Sequence, residues 1–276
     1  MTERARDRGG LAVTWGGHST VLIELDGARL LTDPVVHSRV GPLRRFAAPF
    51  QPRLYERVDA VLVSHLHADH AHLRSLRALG ADARVIAPRG ARGWLRAHGF
   101  KDVSELAAGE ELEVAGVRVG ATQAVHNSHR WHLGERRLWP LGVSAEPVGY
   151  LVRGSRSCYF AGDTDLFGAM SELAGTIDIA LLPISGWGAS VGSGHLDPER
   201  AAIAAERIAP SVAVPIHWGT LTLALRPGRP PDPARYPREF AALVAERAPA
   251  VDVRILEPGE RTALDRDAQA SGSAGP

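Results

Sequence analysis

The sequence predicts a mixed α/β fold in which two sheets are flanked by helices. Hairpin-like patterns come first and then give way to strands alternating with helices, and this succession occurs twice along the chain. Several of the apolar, strand-like runs also end on a histidine or an aspartate. Open α/β architectures bind their ligands at strand ends of this kind.

Taken in order, Val13 to Thr32 reads as strands around a hairpin turn at Asp26-Gly27. Val58 to Val63 is an aliphatic run of buried-strand length. Asp69 to Leu79 and Gly90 to His98 read as helices, and Glu111 to Val125 as a second hairpin turning at Ala115-Gly116. Cys158 to Ala161 and Val212 to Ile216 are short apolar strands. Asp197-Pro198-Glu199 combines an N-cap, a proline at the first helical position and an early acid, so a helix is predicted from there to about Ala209. Tyr236 to Arg247 is the last helix, before a strand at Val251 to Leu256. The 276 residues suit one sizeable domain, placed at residues 10–263, with residues 1–9 and 264–276 polar or small and read as disordered tails.

Composition narrows the function classes. A hydrophobic content of 45% is ample for a core, and 32 basic against 31 acidic residues leave a formal charge of +1. That balance announces neither a nucleic-acid nor a membrane partner, and no apolar run approaches bilayer length. The expected partner is a small-molecule substrate, with a homo-oligomer left open. A single cysteine excludes an intramolecular disulfide and suits a reducing, cytoplasmic setting; Cys158 itself reads as a small buried hydrophobe.

The densest chemistry lies in Ser64 to His70, SHLHADH, directly after the Val58 to Val63 strand. His65 and His67 alternate and so can converge on one point, whereas Asp69 and His70 are neighbours that do not share a face. Asp69 and His70 are therefore better placed for a second ion or a catalytic task beside the first. One tetrahedral metal needs about four ligands and a hydrolytic pair needs more, so later positions must contribute. His126, Asp163 and His217 qualify, each at the end of a strand-like run.

With those residues in view, the chain resembles the metallo-β-lactamase superfamily, whose HxHxDH signature is matched by His65, His67, Asp69 and His70. WGGHSTVLIELDGARLLTDP from Trp15, GDT at Gly162 to Thr164, HLDPE from His195 and IHWGT from Ile216 extend the likeness over roughly residues 11–260. The combination is most similar to the branch holding ascorbate-phosphate lactonases and N-acyl-phosphatidylethanolamine phospholipase D. The resemblance implies a four-layer αββα sandwich and two divalent ions. Zinc is best suited to the ligands, and manganese or iron are compatible. It assigns His65, His67 and His126 to the first ion and Asp69, His70 and His217 to the second, with Asp163 bridging. His195 aligns with a histidine lining the family's active site and is read as a substrate or transition-state contact. His18 and Asp33 either orient the ligand imidazoles through hydrogen bonds or are products of turn chemistry, with His18 also placed near substrate; His129 and His132 are assigned to the pocket rim.

Three functions follow as expectations. The first is a dinuclear hydrolase in which an ionised water shared by the ions attacks a small ester, lactone or phosphodiester, with Asp69 accepting or orienting its proton. The others are a nuclease-like phosphodiesterase, disfavoured by the absence of a basic, aromatic-interleaved stripe, and a non-catalytic metal-binding regulatory protein. His67 stands where diiron relatives carry glutamate, which favours hydrolysis over redox chemistry. Substrate choice is assigned to the loops Val35 to Pro52 and Leu221 to Pro233 and to a lid at Trp131 to Pro147. Arg39, Arg44 and Arg45 in the first loop read as solvated rather than as an anion site.

Overall fold

The computed structural model describes residues 10–49, 51–130, 142–186, 192–224 and 232–264. In the first half, strands β1 (Leu11–Gly17), β2 (Thr20–Leu25) and β3 (Ala28–Thr32) form a meander. The short strands β4 (Arg39–Val40) and β5 (Leu43–Arg45) follow, then β6 (Ala60–Leu62), α1 (Leu73–Ala78), β7 (Val85–Pro88), α2 (Arg92–Ala97) and β8 (Val103–Leu106). The second half repeats the plan. A meander of β9 (Glu111–Val114), β10 (Val117–Gln123), β11 (Val148–Arg153) and β12 (Ser157–Phe160) leads into β13 (Ile179–Pro183), α3 (Pro198–Ile208) and β14 (Val212–Ile216). The short β15 (Leu221–Leu223), α4 (Arg235–Arg247), β16 (Asp252–Val253) and β17 (Arg261–Leu264) complete it.

Two seven-stranded sheets result, ordered β17-β1-β2-β3-β6-β7-β8 and β16-β14-β13-β12-β11-β10-β9. Each is antiparallel on its meander side and parallel from β3 to β8 or from β12 to β16. The last strand, β17, crosses back to pair with β1.

Alternation along the strands sorts side chains into layers. In the first sheet, Val13, Trp15, Ile23, Leu62 and Ile86 join the large core shared with Val119, Tyr150 and Phe160 of the second sheet. Their neighbours Val61, Val63, Val85 and Ala87 face the other way and pack with Leu76 of α1 and Trp94 and Leu95 of α2. Helix α3 and Phe240 and Val244 of α4 complete the main core beyond the second sheet. The expected four-layer αββα arrangement is the observed one.

The predicted start of α3 is seen: the Asp197 side chain accepts from Arg200 N at 2.8 Å, Pro198 opens the helix, and Ala209 leaves it in a left-handed conformation. Three expectations need correction. Helix α1 begins at Leu73 rather than Asp69, because His70 N and Ala71 N both donate to His67 O and close a turn there. The region Val251 to Leu256 contributes only Asp252–Val253 as a strand; Arg254 N still donates to the Ala213 carbonyl of β14 while its guanidinium reaches Thr262 Oγ1 and the Ala263 carbonyl of β17. Leu264 belongs to β17 and not to a tail.

The described parts of the two supposed substrate loops, residues 35–49, 51–52, 221–224 and 232–233, are also more regular than expected. They contribute β4, β5 and β15 to a three-stranded sheet in which Leu221 opposes Arg45. Arg45 is half-buried and engaged rather than a free solvated cation: its guanidinium donates to the carbonyls of Gly16, Val35 and Ala48, and burial pushes its pKa down to about 10. Among the described residues no helix is long and apolar enough to cross a membrane. Residues 1–9 and 131–141, and with them His132 and most of the expected lid, lie outside the described residues.

Candidate metal centre

The strand ends of both sheets meet at one edge of the sandwich. Asp33, directly after β3 and at a φ of 32°, organises the first side. Its carboxylate accepts from Ser64 N at 2.7 Å, from Ser64 Oγ at 2.6 Å and from His70 Nδ1 at 2.8 Å. Its backbone is held in turn by Thr20 Oγ1, which donates to the Asp33 carbonyl and accepts from Val35 N. His217, directly after β14 and at a φ of 63°, receives the second side. Its backbone N–H donates to the His18 carbonyl at 2.9 Å, and His18 itself sits at a φ of 54° with its N–H on Thr220 Oγ1. Three non-glycine residues in or near left-handed conformations at one site mark backbone strain that the surrounding hydrogen bonds sustain.

Hydrogen bonds around the imidazoles fix their tautomers. His70 Nδ1–H donates to Asp33, His126 Nδ1–H to the Gly194 carbonyl at 2.8 Å and His217 Nδ1–H to the Ser185 carbonyl. Ser64 Oγ gives its proton to Asp33 and therefore accepts from His65 Nδ1–H at 3.0 Å. In each of these four rings the Nε2 lone pair is left pointing inward. His65 Nε2 and His126 Nε2 both lie 3.1 Å from His67 Nδ1, and His70 Nε2 lies 3.3 Å from His217 Nε2. Lone pairs facing one another at these distances repel unless a proton or a cation is shared between them.

The carboxylates complete the cluster. Asp163 Oδ2 lies 3.1 Å from His70 Nε2 and 3.4 Å from His195 Nε2, while Oδ1 lies 3.3 Å from His217 Nε2. That Oδ1 is buried and has no hydrogen-bond partner, its approach to His217 lacking hydrogen-bonding geometry. Asp69 Oδ2 accepts from His18 Nε2 at 3.1 Å. The donor atoms fall into overlapping groups, each within 4.8 Å: His65, His67 and His126; His18, Asp69, His70 and His217; and His126, Asp163 and His195. Among the described residues, Asp33, Asp69 and Asp163 have only histidines as ion-pair partners. Buried carboxylates without Lys or Arg, an orphaned Oδ1 and converging imidazole lone pairs all fit divalent cations.

Burial opposes the charge of both Asp69 and Asp163, yet the surrounding histidines hold each carboxyl well below the usual carboxylate range. Burial, reinforced by neighbouring histidines, pushes His18 down to about 3 and His65 well below the ordinary histidine value. Burial likewise takes His126 to about 4. His70 goes the other way: burial works against its charge, but Asp163, Asp69 and Asp33 raise it well above. A proton and a cation therefore compete for His70 Nε2. Cation uptake is expected to release a proton and to tighten as pH rises through the neutral range. Calorimetric titrations with Zn2+ or Mn2+ in buffers of different ionisation enthalpy measure this, and a binding enthalpy independent of buffer would contradict it.

Close packing holds Asp163 in place. Gly162 has a φ of 62°, and a Cβ built there would lie 2.7 Å from Ser64 Cβ and 3.1 Å from the Val148 carbonyl. Gly162→Ala is expected to destabilise the fold by about 1–3 kcal/mol and to weaken cation binding by pushing Asp163 away from His70. Urea unfolding together with a cation titration tests this, and parental values in both would show that the turn absorbs the methyl group.

All seven expected metal positions, with His18 and His195, meet at this edge. His129 is in none of the groups of converging donor atoms, and its Nδ1 is hydrogen-bonded to Ser144 Oγ at 2.8 Å. Cys158 is buried within β12, and burial pushes its thiol pKa up. Sequence reasoning missed the carbonyls of Ser185 and Gly194, since any residue type supplies a carbonyl. It also missed Arg130, whose guanidinium donates to the carbonyls of Leu66 and Ala71, contacts that no local pattern announces.

Two mixed sheets packed face to face, with a histidine and aspartate cluster at their shared edge, define a class of metal-binding α/β proteins. A family model described as a β-lactamase superfamily domain matches residues 28–218. A UPF0173 metal-dependent hydrolase of Methanopyrus kandleri is 33% identical, covering 91% of this chain and 98% of its own. An N-acyl-phosphatidylethanolamine-hydrolyzing phospholipase D of Caenorhabditis elegans is 30% identical over 76% of this chain and 64% of its own. Among solved structures, the metallo hydrolase Igni18 of Ignicoccus hospitalis superimposes with a TM-score of 0.68 at 25% identity, covering 92% of this chain and 98% of its own. The chain belongs to the metallo-β-lactamase superfamily, among its metal-dependent hydrolases.

Proposed function

We propose that the protein is a dinuclear hydrolase of a small ester, lactone or phosphodiester, working in the cytoplasm with zinc, or with manganese or iron, at the cluster described above. The observation that carries this reading is the set of four imidazoles whose Nδ1–H groups are engaged outward while their Nε2 lone pairs converge beside the orphaned Asp163 Oδ1. His65, His67 and His126 would hold one ion, Asp69, His70 and His217 the other, and Asp163 would serve both. Ions so held supply Lewis-acid polarisation of the substrate and lower the pKa of water towards neutrality.

The chain's own groups do the rest. His18 donates Nε2–H to Asp69 Oδ2, which fixes that carboxylate and leaves its other oxygen to accept or orient the proton lost by the attacking water. His195 is partly exposed, at 27% of its side chain, and its ring faces Asp163. It is placed to meet the substrate oxygen on which charge develops. The phosphodiester option is supported by the Caenorhabditis elegans relative, and the small-molecule character by the near-neutral charge of the chain.

The test is hydrolysis of generic lactones, thioesters and bis-p-nitrophenyl phosphate by protein dialysed against chelator, before and after Zn2+, Mn2+ or Fe2+ is restored. Cation-dependent turnover of at least one class is expected. Flat activity towards all of them with two equivalents of cation bound would overturn the reading in favour of a regulatory metal-binding protein.

A further inference from the structure

Arg130 is 7% exposed, lies outside every group of cation-binding side chains, and reaches the turn that carries three of them. Its Nη1 donates to the Leu66 carbonyl at 2.9 Å and to the Ala71 carbonyl at 3.1 Å. These two carbonyls bracket His67, Ala68, Asp69 and His70, so one nitrogen with two hydrogens spans the mouth of the turn. The guanidinium lies over the Trp94 ring of α2, with Cζ 4.6 Å from the ring centroid. The backbone of Arg130 is fastened as well: its N–H donates to the Val143 carbonyl at 2.8 Å, and its carbonyl accepts from Val143 N at 3.1 Å. Four residues earlier on the same segment is His126, whose Nε2 must meet His67 Nδ1 across the cluster.

We infer that Arg130 is a positioning residue for the cation site: it clamps the His67–His70 turn to the segment bearing His126, so that the donor atoms of the two segments are already converged before an ion binds. This rests on the cation-binding reading above. The turn has few ties of its own. Its internal hydrogen bonds both run to the His67 carbonyl, from His70 N and Ala71 N, and leave the Leu66 and Ala71 carbonyls to an outside donor. A guanidinium suits that task because it is planar, permanently charged and able to bond in its plane while its face rests on an aromatic ring. Without the clamp the turn can open, and part of the binding free energy is then used to close it.

The test uses Co2+ as a spectroscopic probe of the full chain, with affinity and visible absorption read for the parent and for Arg130→Met, Arg130→Lys and Trp94→Leu. Arg130→Met keeps much of the bulk but no donor, and is expected to lose about 10–100-fold in Co2+ affinity, the range typical when a partner that orients metal ligands is removed. Its absorption bands should also shift as the ligand geometry loosens. Arg130→Lys, whose ammonium can still donate to both carbonyls, is expected to recover most of the affinity. Trp94→Leu removes the ring under the guanidinium but not the clamp, and should bind Co2+ within a few-fold of the parent even though it is less stable.

Parental affinity and spectrum in Arg130→Met would overturn the inference, and so would an equal loss in Trp94→Leu, which would reduce Arg130 to packing. If Arg130→Met does not fold, Arg130→Gln carries the same reading: reduced affinity supports the clamp and parental affinity overturns it. If the parent itself fails to bind Co2+, the cation-binding reading has failed, an outcome distinct from equal binding by parent and variant.

Discussion

Asp163→Ala is expected to lower turnover by about 10³-fold or more, the scale on which single groups that manage developing charge act. Among the described residues, Asp163 alone makes ion-pair contacts with His70, His195 and His217 together, at 3.1, 3.4 and 3.3 Å. The carboxylate is 3% exposed, and burial alone would favour its neutral form, yet the histidines hold it ionised far into acid. Its contribution to stability is therefore present at neutral pH and is lost only as pH falls through its depressed native pKa. With cations the effect is larger. A ligand at a thousandfold excess over its dissociation constant stabilises the native state by about 4 kcal/mol, and the alanine variant is expected to lose most of that increment. Melting temperatures in chelator and in excess Zn2+, measured beside steady-state rates, separate the two effects. Retained turnover in a cation-replete Asp163→Ala protein would contradict the assignment of that residue to both ions.

Asp33→Ala should be the most damaging change to the fold near the site, at about 3–5 kcal/mol, the cost of leaving the partners of a buried carboxylate uncompensated. Ser64 N, Ser64 Oγ and His70 Nδ1 all lose their acceptor at once, and each is buried. Ser64 Oγ would then be free to reverse its bond to His65, which removes the constraint on a second imidazole. Cation affinity should fall by about 10–100-fold on top of the loss in stability. Asp33→Asn is expected to be milder, because its amide oxygen can still accept from Ser64 N but cannot also serve Ser64 Oγ and His70 as the carboxylate does. Urea unfolding in chelator and Co2+ titration read the two consequences independently. A parental urea midpoint for Asp33→Ala would show that water replaces the carboxylate.

Much of this architecture is legible locally. The Asp26-Gly27 hairpin, the Ala115-Gly116 hairpin and the capped start of α3 all depend on residues within a turn of one another, and each appears where the pattern places it. Periodicity also reports burial, as when Leu62 and Ile86 face one layer and Val61 and Val85 the next. The errors come where distant contacts override a local preference. Asp69 to Leu79 has helical composition, but the first four residues serve as a turn that aims Asp69 at His18 and His70 at Asp33. Residues 35–52 and 221–233 read as proline-rich loops because strands of two or three residues carry almost no periodic signal. Only the mutual pairing of β4, β5 and β15, the last more than a hundred residues further along the chain, makes a sheet.

The sequence alone determined the layered α/β architecture, the superfamily and which histidines and aspartates gather at the strand ends, because alternation and a dense histidine and aspartate motif are encoded over short stretches. The tertiary structure decided which nitrogen of each imidazole faces inward, that His18 belongs to Asp69, and that Arg130 closes the ligand turn. Those outcomes depend on backbone carbonyls and on contacts between residues as far apart as Arg130 and Leu66, or His217 and His18, where the type of residue says nothing about its partner. Ligand identity is a property of composition, whereas ligand orientation is a property of the packed fold.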